Sequence, residues 1–208
     1  VVNNVESLAA VALIFKHGSD SYKAIGNGRS LGTKLISLDG HFNNPGLYEV
    51  DLGTPLGTII DDIGGGFNED IKAIQIGGPL GGIVPVDILR SLTLDFEVFA
   101  EAGFLLGHAS FVCIPRSFSA VEYAKHLFAF TAHESCGKCF PCRLGSTRGK
   151  EMLGSAIDGK QKFSEELIYD LLETMEVGSL CALGGGLPLA IKNLLEHCSD
   201  EFKPLMEK

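Results

Sequence analysis

Cys136–Gly137–Lys138–Cys139–Phe140–Pro141–Cys142 sets three thiols at i, i+3 and i+6. Helix packing does not account for all three at that spacing, whereas a loop so built wraps three thiolates around a compact inorganic core. A [4Fe–4S] cube has four iron corners, so one further ligand is needed. Cys181, in Gly178–Ser179–Leu180–Cys181–Ala182–Leu183–Gly184, is the favoured fourth donor, because a loop between two helices can return a distant thiolate to the first three. Cys198 and Cys113 are the rivals, and core packing is the plainer account of both. Zinc also takes four thiolates, but its ligands usually come as two separated pairs. A redox dithiol at Cys136 and Cys139, or plain structural cysteines, are the remaining readings.

The residues around the thiols suit an anionic centre. Lys138 and Arg143 bring positive charge, although Lys138 reads equally well as a solvated surface lysine. Backbone N–H groups of Gly137, of the 144–146 turn and of Leu183 and Gly184 are candidates to point at sulfur, and Ser135 belongs to the same environment. Leu180, Leu183 and Phe140 are expected to keep water off the sulfurs.

Outward from this cluster the pattern is helical. Ser119 with Glu122 is a capping-box signal for a helix through Phe130, with Val121, Ala124, Leu127 and Phe128 facing inward. A second helix starts near Pro141 or Arg143 and reaches about Ala156. Ser164 caps a third, with Glu165 and Glu166 in the first turn, where the helix dipole favours acids. It carries Leu167, Ile168, Leu171, Leu172 and Met175, and Gly178 closes it. A last helix is expected to begin near Pro188 and to carry Leu189, Ile191, Leu194 and Leu195. Residues 113–208 therefore read as a four-helix-bundle-like iron–sulfur domain.

Further upstream the period shortens. Thr33 to Leu38 and Leu47 to Val50 read as strands about an Asn43–Asn44–Pro45–Gly46 turn. Thr54 is placed to cap a short helix with Pro55 at its first position and Ile59, Ile60 and Ile63 inside. Ile71 to Ile76 reads as a mostly buried strand, followed by Gly77–Gly78–Pro79–Leu80–Gly81–Gly82 and a strand over Ile83 to Val86. Phe111 to Ile114 is another buried strand. Strand, strand, helix, strand makes a small mixed sheet with one packed helix, so the fold class is α+β with this domain over 30–112. Residues 1–17 read as a helix capped by Asn3 or Asn4, with Leu8, Ala9, Ala12 and Leu13 on one side, and 1–29 form a leading segment.

The chain has 208 residues, 45% of them hydrophobic, with 17 basic and 26 acidic side chains for a net charge of −9. That balance argues against a nucleic-acid partner. No apolar run reaches bilayer length, so direct membrane insertion is not expected, and the cytoplasm is the expected location, with peripheral attachment to a membrane complex as a variant. Most of the 26 glycines fall between Gly26 and Gly107, which implies turns and close backbone approaches there. The six cysteines lack the setting of a disulfide framework and suit a reducing compartment. The opening, Val1–Val2–Asn3–Asn4–Val5–Glu6, reads like the interior of a longer protein.

Glu134 to Gly145, with Ser179–Leu180–Cys181–Ala182–Leu183–Gly184, resembles the cluster-binding signature of the NADH-binding flavoprotein subunit of respiratory complex I. The same family includes diaphorase subunits of NAD-linked hydrogenases and formate dehydrogenases. The resemblance covers nearly the whole chain. Val2 to Leu8 is similar to the segment after the family's flavin domain, which implies that Asn3 and Asn4 touch FMN. Gly77 to Gly82 is similar to a loop of the family's ubiquitin-like, soluble-ligand-binding β-grasp domain. The chain departs from the pattern at Pro115 and Arg116, where family members commonly carry an acid. The resemblance implies that a hydride from NAD(P)H passes to FMN and that electrons leave singly through the cluster. It also implies a thioredoxin-like [2Fe–2S] subunit or a larger iron–sulfur subunit as partner, and an NADH-binding domain upstream or in a separate chain. Gly64–Gly65–Gly66–Phe67 is no dinucleotide fingerprint, since it lacks the preceding strand and long following helix. The rival class is a docking or ligand-binding assembly module with a structural metal site, in which the Gly77–Gly82 loop is exposed and adaptable.

Overall fold

The computed structural model describes residues 1–207. Two short helices, α1 (Val5–His17) and α2 (Ser19–Lys23), lead into a hairpin of β1 (Gly26–Asn27) and β2 (Ser30–Leu31). A five-stranded sheet follows: β3 (Thr33–Leu38), β4 (Gly46–Asp51), β5 (Ile71–Ile76), β6 (Gly82–Pro85) and β7 (Ser110–Pro115). Three helical pieces interrupt it: α3 (Leu56–Thr58), which runs on as a π turn over Ile59–Ile63, α4 (Val86–Leu89) and α5 (Phe96–Glu101). The sheet order is β4-β3-β7-β5-β6, with β3 and β7 parallel and the other pairs antiparallel. This is a β-grasp arrangement: the last strand inserts beside the first. The junction expected at 112/113 thus falls inside β7, because hydrogen bonding to both β3 and β5 holds the chain in the sheet to Pro115.

The sheet divides two cores. Ile74, Ile76, Val84, Phe111 and Cys113 pack with Ile36, Leu56, Ile59 and Phe99 on one face. Ala73, Ile83 and Ile114 join the helical core on the other. Adjacent residues of a strand point to opposite faces, so β5, β6 and β7 carry apolar residues on both faces, with Lys72 and Gln75 of β5 as polar exceptions. Ile71 and Ala73 should share a face, yet they enter different cores, and a register shift between them explains it.

The helical part contains α6 (Ala120–Glu134), α7 (Phe140–Ile157), α8 (Glu165–Gly178), α9 (Ala182–His197) and α10 (Ser199–Phe202). Ser119 and Ser164 cap α6 and α8 as the sequence indicates, accepting from the N–H groups of Glu122 and Leu167. Small residues on α7 let its neighbours close in. A β-carbon on Gly145 would fall 2.6 Å from Met175 Cγ of α8, and one on Gly149 would strike the Phe128 ring of α6. The two parts are joined by buried polar contacts. Asn193 Oδ1 accepts from the Ile83 N–H at 3.2 Å, and the Tyr123 hydroxyl donates to Gln75 Oε1 at 2.6 Å. Lys72 pairs with Glu201, whose other oxygen accepts from the Ala120 N–H.

Several local expectations are corrected. The last helix begins at Ala182, not near Pro188; Pro188 lies buried inside it, and packing of Leu187, Ala190, Ile191 and Leu194 in the core outweighs the one missing N–H. Thr54 does not cap a helix, because its hydroxyl donates back to the Asp51 carbonyl at 2.6 Å, and Pro55 occupies the cap position. Asn4 does cap α1, accepting from the Glu6 N–H at 2.8 Å. The side of α1 turned to the protein carries Glu6, Ala10 and Ile14, whereas Leu8 and Leu13 are exposed. The Gly77–Gly82 loop is clasped and largely buried: Gly77 abuts Leu106 and Gly107, Gly78 abuts His108, and Leu80 approaches Gly186 of α9.

Candidate metal centre

The three clustered thiols lie where α6 gives way to α7. Gly137, at φ +76°, reverses the chain between Cys136 and Cys139. Cys139 is the N-cap of α7 and Cys142 lies in its first turn, with Pro141 between them at a position that has no N–H to lose. Cys181 is the N-cap of α9. Two helix N-termini therefore present thiols, and the positive end of a helix dipole attracts negative charge.

The loop at 136–142 and the junction at 178–184 pack directly on each other. A β-carbon on Gly184 would fall 2.6 Å from the Cys142 Cβ, and one on Gly178 would fall 2.8 Å from Pro141 Cγ. The backbone N–H of Leu180, foremost, holds the Cys139 thiol below its usual value. Gly178 and Leu180 thus reach the neighbourhood of Pro141 and Cys139, and Cys181 follows Leu180 directly in the chain.

The rivals sit elsewhere. Cys198 ends α9, so the 16 residues of that helix separate it from Cys181, roughly 24 Å at 1.5 Å per residue. Burial pushes its thiol up. Cys113 is buried in β7 among the β-grasp core, where desolvation, and then Asp39, push its thiol up too.

Ser135 lies at the sulfur of Cys142: its Oγ is 3.4 Å from Cys142 Sγ and accepts from the Gly137 N–H at 3.3 Å. Arg143 does not turn to the thiols. Its guanidinium donates to the Gly137 carbonyl at 2.9 Å and stacks over Phe140 at 4.8 Å. Lys138 is exposed, Leu183 half-buried and Gly184 buried. Phe140 and Leu180, expected to shield the sulfurs, are 67% and 72% exposed in this chain. Helix starts at Phe140 and Ala182 turn both residues outward beside the thiols, and Leu144 and Val177 are exposed with them. Asn3 and Asn4 lie at the start of α1, with the Asn4 side-chain oxygen committed to its cap.

Among the described residues, no three His, Cys, Asp or Glu side chains gather tightly enough to grip a single metal ion. A cube of iron and sulfide is larger and takes its thiolates from farther apart. The donor set, four cysteines with two at helix N-termini, and the absence of a side chain on Gly184 beside Cys142 fit the larger group. Sequence reasoning missed Ser179. Its hydroxyl is buried beside Gly184 and Cys142 and has no hydrogen-bond partner among the described residues; nothing in the spacing marked it except its place two residues before Cys181.

Residues 122–204 match the NADH-ubiquinone oxidoreductase-F iron-sulfur binding region. The chain is 35% identical over 206 residues to the NADP-reducing hydrogenase subunit HndC of Solidesulfovibrio fructosivorans, covering 98% of this chain and 42% of that protein. It is 35% identical over 211 residues to the F 2 subunit of the NADH-quinone oxidoreductase of Rhizobium meliloti, covering 100% of this chain and 50% of that one. An NAD+-reducing [NiFe]-hydrogenase solved in the H2-reduced state superposes with a TM-score of 0.87 at 29% identity, over 100% of this chain and 35% of that chain. The chain spans about half the length of the curated relatives it matches. Along its length it is homologous to part of the F-type subunits of NADH-quinone oxidoreductases and of their hydrogenase counterparts, and residues 122–204 correspond to the iron–sulfur binding region of those proteins.

Proposed function

We propose that the chain is the electron-transfer portion of an NAD(P)H-oxidising iron–sulfur flavoprotein. Cys136, Cys139, Cys142 and Cys181 hold one [4Fe–4S] cluster, which supplies a one-electron carrier between FMN and a partner iron–sulfur protein. The observation that supports this most is the packing of the Cys136–Cys142 loop onto the first turn of α9 at Gly184. It gathers the cysteine-bearing elements at two helix N-termini while Cys113 and Cys198 stay in other parts of the fold.

Division of labour along the chain follows. Residues 1–29 belong to the end of a flavin domain, with Asn3 and Asn4 toward FMN. The β-grasp unit, expected over residues 30–112, runs on through β7 to Pro115, and the cluster domain follows it. The protein's own task is to bind the cluster, orient it and set its potential. Ser135 and the N–H groups near Gly137, Leu183 and Gly184 act on the sulfurs, and Lys138 adds positive charge outside. Exposed Phe140, Leu144, Val177 and Leu180 frame the side on which a thioredoxin-like [2Fe–2S] subunit or a larger iron–sulfur subunit docks. The NADH-binding domain lies upstream or in a separate chain. The location proposed is the cytoplasm, at or near a membrane complex; among the described residues no helix is long and apolar enough to cross a membrane.

Anaerobic purification of the full protein, with iron and sulfide analysis and low-temperature spin resonance after reduction, tests the assignment. The expected result is four irons and four sulfides per chain from this site and a signal from the reduced cluster. An iron-free protein that resists reconstitution overturns it in favour of a docking or ligand-binding module with a structural metal.

A further inference from the structure

We infer that Ser179 sets the potential of the cluster by donating its hydroxyl hydrogen to sulfur beside Cys142. The inference rests on the assignment of a [4Fe–4S] cluster to the four cysteines. It concerns how one side chain that is not a ligand acts on that site.

Three observations support it. The Ser179 Oγ is buried and finds no hydrogen-bond acceptor or donor among the described residues. Buried hydroxyls are otherwise nearly always paired, since an unpaired one forfeits its hydration with no return. Its surroundings are those of the cluster site: a β-carbon on Gly184 would run into both the Ser179 hydroxyl and the Cys142 Cβ. Cys142 is also only 4% exposed, so its sulfur has to find hydrogen-bond donors within the protein. Ser135 already stands on that sulfur with the Gly137 N–H behind it. Ser179 comes from a different element, the end of α8, and is the one hydroxyl at the junction left without a partner among the described residues.

A hydrogen bond to a thiolate or sulfide sulfur offsets negative charge, and the reduced cluster carries one more negative charge than the oxidised one. Donation by Ser179 therefore favours reduction and raises the potential. It makes the cluster a readier acceptor from the flavin side. Ser179 is a positioning residue in this sense, and it forms no bond to iron.

The experiment compares Ser179→Ala, Ser179→Thr and Ser179→Val in the full protein, with the midpoint potential followed by spin-resonance redox titration. Iron content of the unaltered protein is measured first; if that protein binds no cluster, the functional assignment fails, independently of Ser179. Given a cluster, Ser179→Ala is expected to retain iron and shift the potential negative. The expected size is about a tenfold change in the reduced-to-oxidised ratio at fixed potential, 59 mV for one electron. Ser179→Thr is expected to keep the original potential. If Ser179→Ala loses iron, the isosteric pair of threonine and valine decides: a lower potential in the valine variant supports the inference. Equal potentials with and without the hydroxyl, or loss of iron in all three variants, overturn it and leave Ser179 a purely steric role.

Discussion

Gly184 of α9 lies face to face with Cys142 of α7, so close that a β-carbon at 184 would come within 2.6 Å of the cysteine's own. Gly184→Ala must displace the Cys142 side chain or lift the start of α9. Overpacking of this kind costs about 1–3 kcal/mol. The expected outcome is lower iron content per chain together with a lower urea midpoint. Unchanged iron content would show that the junction has slack.

Cys139→Ala and Cys198→Ala separate the proposed ligands from the bystanders. Cys139 caps α7 beside the Leu180 N–H, whereas Cys198 closes the far end of α9. Removing Cys139 is expected to abolish the reduced-cluster resonance and to loosen the helical part. The Cys198 variant is expected to keep the resonance, since its half-buried thiol only packs there. Reduction with dithionite followed by low-temperature spectra of both variants reads the difference.

Asn193 ties the bundle to the sheet. Its side chain accepts from the Ile83 N–H and donates to the Gly103 carbonyl at 3.3 Å. Asn193→Ala leaves a buried N–H unpaired, which costs about 1–3 kcal/mol. Urea unfolding of the variant should show that loss. A stability equal to the original chain would mean that the two parts do not depend on this link.

Tyr123 gives the fold a sensitivity to high pH. Burial, and then the Asp39 carboxylate, push its hydroxyl up to about 12. An unfolded chain releases that proton near pH 10, while the folded one keeps it, so stability falls as pH rises between these values. At 1.36 kcal/mol per unit the loss reaches about 2–3 kcal/mol by pH 12. Tyr123→Phe is less stable at neutral pH, where it lacks the bond to Gln75, but its stability declines less steeply above pH 10. Parallel declines for the two chains in urea titrations at several pH values would contradict this.

Much of the architecture was legible because it follows from local signals. Thr33–Leu38 and Ile71–Ile76 are strands with the boundaries that their patterns indicate, and Ser119 and Ser164 cap the helices they mark. Patterns failed where packing outranked propensity. Pro188 reads as a helix start and lies within α9, and Val86–Leu89 and Phe96–Glu101 are too short to show a period. The reading of Leu180 and Phe140 as shields failed as well, since apolar character does not say which way a residue at a helix start will face.

The spacing of Cys136, Cys139 and Cys142 by itself pointed to a metal–thiolate centre, because a short loop can close around one small group whatever surrounds it. Only the tertiary structure decided that Cys181 caps the helix whose first turn rests on Cys142, that Cys113 and Cys198 lie apart, and that the Ser179 hydroxyl is left without a partner among the described residues. Those relations join residues some forty or more positions apart in the sequence, and they arise from the stacking of α6, α7, α8 and α9 around Gly145 and Gly149. Local periodicity carries no record of such contacts, since they depend on which helices meet and how closely their backbones approach.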